Sequence, residues 1–139
     1  MEYACTAWID PYQQNNIHKL EMVQRRAARY VKNRYNNTSS VTDLLHQLEW
    51  DTLENRRKIA RLTLMYKITN GIVNIDPSSK LIPPNRYSRK MHNHTFQHPS
   101  CNTTMRSQSY YPRTIREWNA LPADTVKAAS LDSFKARIN

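Results

Sequence analysis

Glycine is almost missing from this chain: Gly71 is the only one in 139 residues. Hairpin turns and phosphate-cradling loops draw on glycine because it reaches positive φ without a Cβ clash. One glycine argues against an all-β or dinucleotide-binding fold and excludes a Gly-rich phosphate loop outright. Cysteine is nearly as scarce, with Cys5 and Cys101 alone, and two thiols make no disulfide framework. No apolar run approaches the ~18 residues of a membrane span, and no secretory segment opens the sequence. The expectation is a soluble protein inside the cell, nuclear or cytoplasmic and not secreted, with no membrane partner. In that setting the N-x-[ST] triplets at Asn36, Asn37, Asn93 and Asn102 read as chance in an Asn/Thr-rich chain.

Acid is the third deficit. There are 11 Asp+Glu against 21 Lys+Arg, a net charge of +10, and the pI is about 9.9. Such a balance favours polyanion partners, nucleic acid first among them. The few carboxylates are also scattered. Glu49 and Asp51, on either side of Trp50, are the tightest pair, and capping of a following helix explains them. Polymerases and two-metal nucleases cluster carboxylates around divalent ions, and Cys5 has no neighbouring histidine to activate it. The chain is therefore expected to be no enzyme by itself, with no catalytic residue, no cofactor and no small-molecule substrate. His92, His94, His98 and Cys101 are zinc-compatible ligand types, but their H-x-H-x3-H-x2-C spacing matches no zinc motif, so no metal is expected.

What is present is helical periodicity. Residues 15–35 carry Ile17, Leu20, Val23, Ala27, Tyr30 and Val31 at three- and four-residue steps, one apolar stripe with Asn15 or Asn16 as cap. Arg25, Arg26, Arg29 and Lys32 lie mostly off it. Ser40 and Asp43 resemble a capping box for a short helix over 40–48. Asp51 or Thr52 then starts a helix over 53–70, with Arg56, Arg57, Lys58, Arg61 and Lys67 as its basic face, and Gly71 sits where a helix C-terminus needs left-handed geometry. From Pro77 to Arg116 there are seven Lys/Arg and no acid. Residues 75–111 read as a basic, Pro-containing connector, long enough to be functional, flexible or ordered by a partner. Pro112 suits the first turn of a further helix, and Ser130 caps a last one over 131–138. The fold class expected is all-α: a small bundle of three to five helices, a long basic irregular connector and a short C-terminal helical tail.

The basic faces are the remaining candidates for function. Charges at i, i+4 and i+7, as in Arg25, Arg29 and Lys32, line one side of a rod and can follow a phosphate backbone. Plain solvation explains such a face equally well. Tyr30, Tyr35, Tyr66, Tyr110 and Tyr111 are types that stack on bases, though each alone reads more simply as a core-edge residue.

The segments "EYACTAWIDPYQQNNIHKLEMVQRRAARYV", "LEWDTLENRRKIARLTLMYKITNGIV", "YYPRTIREWNALP" and "SLDSFK" follow one another in an order that resembles the C-terminal part of reverse transcriptases from non-LTR, LINE-type retrotransposons. The resemblance covers most of the chain and is weakest over 76–108. It implies a helical thumb-like region at 1–74, the connector at 75–111 and a helical C-terminal tail at 112–139. It also implies RNA or RNA–DNA duplex as partner, held through phosphates by Arg25, Arg26, Arg29, Lys32, Arg56, Arg57, Arg61 and Arg113. The palm, with its paired aspartates, is not in the sequence, so the rest of the reverse transcriptase is a further expected partner. The chain then reads as a non-catalytic fragment of an RNA-directed DNA polymerase, a relic or a mis-started gene model. The alternatives are a protein–protein docking module using Trp118, Leu121 and the 131–138 helix, or an inactive transposon-derived remnant.

Overall fold

The computed structural model describes residues 11–35, 40–89 and 91–138. The motif residues Tyr3, Ala4 and Trp8, together with Cys5, Lys90 and the triplet positions Asn36 and Asn37, lie outside them. Among the described residues there are seven helices and no strand: α1 (Gln14–Val31), α2 (Val41–Gln47), α3 (Leu53–Thr69), α4 (Thr104–Ser107), α5 (Tyr110–Asn119), α6 (Ala123–Val126) and α7 (Leu131–Ile138). The all-α expectation holds. The extra helices, α4 and α6, are single turns of 4 residues each, too short to show a periodic stripe. The chain falls into two compact units, Pro11–Arg57 and one built on Lys58–Asn139.

In the first unit, Ile17, Ala28, Leu44 and Leu53 are buried, and so is Gln24. α1 therefore faces its neighbours differently from the expected stripe: Val23, Tyr30 and Val31 are exposed, Tyr30 by 75%. Hydrogen bonding accounts for the rotation. Gln24 Nε2 donates to the Asp51 carbonyl at 2.8 Å, and Glu21 Oε1 accepts from Glu54 N–H at 3.1 Å. The inward side of α1 thus supplies acceptors and donors to the start of α3, whose first N–H groups have no partner within their own helix. Thr52, rather than Asp51, is the α3 cap, accepting from Asn55 N–H at 3.2 Å. Ser40 caps α2 as expected, accepting from Asp43 N–H at 3.4 Å. Asn15 and Asn16 do not cap α1, because Gln13 already takes that position and its carbonyl accepts from the amides of Asn16 and Ile17.

Scarce glycine forces other residues into left-handed geometry. α1 stops at Val31, short of the expected Tyr35, because Asn33 has φ +49° and Arg34 N–H returns to the Arg29 carbonyl. α2 ends the same way on Glu49, φ +54°, with Trp50 N–H on the Leu45 carbonyl. α3 ends on Gly71, φ +67°, with Ile72 N–H on the Lys67 carbonyl. All three ends share one reversed-turn hydrogen-bond pattern, and only one has the residue type that adopts it without a Cβ penalty.

The second unit has an aromatic core. Leu62, Met65, Tyr66 and Ile68 of α3 cluster with Ile115 and Trp118 of α5, Val126, Ala128 and Phe134. The Tyr66 and Phe134 rings stack at 4.5 Å, and Tyr66 O–H donates to the Ala128 carbonyl at 2.7 Å. Pro112 lies in the first turn of α5 and Ser130 caps α7, both as expected. The connector has no helix between Gly71 and α4, yet it is packed. Leu81, His92 and Thr95 are buried in it. Asn119 exchanges two hydrogen bonds with the Phe96 backbone, at 3.0 and 2.7 Å, and Trp118 Nε1 donates to the His94 carbonyl at 2.9 Å. The end of α5 thus supplies hydrogen-bond partners to this part of the connector.

Candidate nucleic-acid interface

The eight expected phosphate contacts have different fates. On α1, Arg25, Arg26 and Lys32 are exposed and Arg29 is half-buried. Residues 25 to 32 span about 10 Å of helix axis, close to three nucleotide rises of about 3.4 Å in one strand. Glu21, the only acid on α1, is engaged with the Glu54 amide, so the basic row carries no carboxylate of its own helix. Arg29 adds a sharper feature: its Nε is buried and has no hydrogen-bond partner. A buried donor without an acceptor is uncommon and costly.

Arg56 is exposed, whereas Arg57 is buried with 7% exposure. Arg61, at 4%, is enclosed in the second unit. Its guanidinium grips Glu117 in two-point fashion, Nη2–Oε1 at 2.8 Å and Nε–Oε2 at 3.3 Å. Arg113 Nε stands 3.7 Å from the same carboxylate. Glu117 was not singled out in the sequence, and 56 residues separate it from Arg61. For Arg57 and Arg61 the expected open phosphate face is corrected: enclosure removes both from the surface, and a carboxylate already compensates Arg61. Tyr110 O–H donates to the Arg61 carbonyl at 3.2 Å. Burial, helped by Tyr111 and opposed by Arg61, pushes the Tyr110 phenol well above the ordinary tyrosine range.

The tyrosines divide in the same way. Tyr66 is buried and Tyr110 is half-buried, edge-on to Tyr111 at 5.1 Å. Tyr30 and Tyr35 are exposed by 75% and 61%, which leaves their faces open for stacking. The zinc-type residues do not converge: His92 is buried against the Trp118 carbonyl, Nε2 to O 3.3 Å, and Cys101 Sγ lies against the Pro99 carbonyl. Among the described residues no three His, Cys, Asp or Glu side chains come together, and no helix is long and apolar enough to cross a membrane. Of the residues of the docking alternative, Trp118 and, on the 131–138 helix, Phe134 are 1% and 0% exposed, while Leu121 is half-buried.

Comparison of the chain with known protein families, with curated proteins and with solved structures gives no match.

Proposed function

We propose that this chain is a non-catalytic, nucleic-acid-holding piece, equivalent to the thumb and tail of a LINE-type reverse transcriptase, that grips RNA or RNA–DNA duplex by its phosphates. The observation that carries the reading is the α1 row: Arg25, Arg26 and Lys32 open to solvent beside the half-buried Arg29. The order of the sequence motifs and the net charge of +10 support it. Arg56, exposed in the same unit, adds a further cation, whereas Arg57 and Arg61 contribute structure. The polymerase chemistry belongs to a palm partner, and the role places the protein inside the cell, in nucleus or cytoplasm.

Phosphate binding is a counterion-release reaction, so its affinity falls steeply with salt. About four contacts predict a slope of log affinity against log salt near roughly −3. Titrating the full chain with an RNA–DNA duplex at several salt concentrations measures it. A flat response, or no binding at low salt, rejects the reading.

A further inference from the structure

A cavity of about 340 Å3 opens beside the start of α5. Three separate segments each bring a basic or titratable side chain to it: Lys80, His98 and Arg106. Each segment is fixed by its own backbone. Lys80 N–H donates to the Pro77 carbonyl at 2.9 Å, and Gln97 N–H, next to His98, donates to the Ile82 carbonyl at 2.7 Å. Arg106 N–H donates to Thr103 Oγ1 at 3.2 Å, which caps α4. The backbone that carries these side chains is thus in place before a ligand arrives, and only the side chains remain to be ordered. No carboxylate lines the cavity, and the whole stretch from Pro77 to Arg116 contains none.

The remaining lining has two characters. Ser79, Ser100 and Ser109 bring hydroxyls, and Ser109 is also the residue that starts α5, a helix of 10 residues. The first-turn amides there add positive potential to that of the cations. Tyr111, Pro99 and Ile82 add apolar surface and one aromatic ring to the lining, a type of surface on which a flat heterocycle can stack. A lining that combines cations, hydroxyls and an aromatic ring with no carboxylate, around a volume within the usual small-ligand range, matches one chemistry. We infer that this cavity binds a nucleotide phosphomonoester, with the phosphate on Lys80 and Arg106 and the base against Tyr111. The phosphomonoester is either that of a free nucleotide or that of a strand terminus. The inference does not rest on the duplex-binding reading, because the cavity lies in the Lys58–Asn139 unit and the α1 row in the other.

The test is calorimetric titration of the full chain, at low salt, with AMP, adenosine and inorganic phosphate. AMP is expected to bind saturably and phosphate to compete with it, while adenosine binds at least about tenfold more weakly. Lys80→Ala and Arg106→Ala each weaken AMP binding about tenfold, the effect of losing one charge-assisted contact. Arg86→Ala, an exposed change outside the cavity, leaves it unaltered. Lys80 and Arg106 are themselves exposed, and unchanged melting curves verify that both variants fold; Lys80→Gln serves if Lys80→Ala does not. Competition by a 5′-phosphorylated trinucleotide, but not by its 5′-hydroxyl form, assigns the site to strand termini; competition by neither assigns it to free nucleotides. Absence of saturable AMP binding, equal binding of adenosine, or indifference to both substitutions overturns the proposal. In those cases salt-dependent duplex binding, if present, still stands.

Discussion

The arginine rows of α1 and of the second half of α3 meet different fates. The Pro11–Arg57 unit keeps Arg25, Arg26 and Arg56 exposed, and it closes over a thin core in which Gln24 and, at its boundary, Arg57 take buried places. The Lys58–Asn139 unit draws Arg61 inside, holds it on Glu117, and surrounds it with a core of Tyr66, Trp118 and Phe134. Both sets of arginines sit on helices in basic-looking segments. What separates them is the presence of a carboxylate that the fold, not the local sequence, brings to the guanidinium. A buried arginine without such a partner is prohibitively costly, and one with a partner becomes part of the scaffold.

Several substitutions break this contrast, and the largest effect is expected in the aromatic core. Trp118→Ala removes a side chain of 1% exposure and is expected to cost about 3–5 kcal/mol, seen as a lowered midpoint in urea unfolding. Next comes Glu117→Ala. It leaves Arg61 enclosed without its two-point partner, a loss of about 3–5 kcal/mol by analogy with other broken buried pairs, and nearer the lower figure because Glu117 itself is 19% exposed. If Glu117→Ala is as stable as the parent, Arg61 is a surface cation after all. Asn119→Ala deletes both hydrogen bonds to Phe96, worth roughly 2 kcal/mol together. Faster amide exchange at Phe96 would localise that loss to the connector.

The smallest changes concern helix ends. Gly71 has open space around a built Cβ but φ +67°, so Gly71→Ala costs roughly 1 kcal/mol from backbone geometry alone. Glu49 occupies the equivalent place at φ +54°. Glu49→Gly relieves the Cβ penalty at some cost in unfolded-state entropy, a net gain of up to about 1 kcal/mol. Thermal melts of the two variants should therefore move in opposite directions.

These contrasts mark where sequence reasoning reaches and where it stops. Helices α1, α2, α3, α5 and α7 were legible because caps such as Ser40 and Ser130 and the lone Gly71 punctuate periodic segments. The side that α1 buries was not, since Val23 and Tyr30 advertise an apolar face while Gln24 and Glu21 win the inward positions through hydrogen bonds to a segment about 30 residues away. Order in the connector was hidden for the same reason: Asn119 and Trp118 hold Phe96 and His94 across 23 and 24 residues, and no local pattern reports that pairing. Of the candidate phosphate contacts, the exposure of Arg25, Arg26 and Lys32 on α1 followed from helical spacing. Arg61 needed knowledge of Glu117, which sits 56 residues on and carries no motif of its own.

The central proposal is that the α1 arginines are free to meet phosphate, whereas Arg61 is held on a carboxylate. The most direct measurement is the salt dependence of RNA–DNA duplex binding by the full chain, compared with an Arg25→Gln/Arg26→Gln variant. Removing two phosphate contacts should make the slope shallower by roughly 2 and weaken binding at low salt, with stability changed by no more than about 0.5 kcal/mol because both residues are exposed. An unchanged slope in a folded variant would contradict the account and leave the α1 row a merely solvated face.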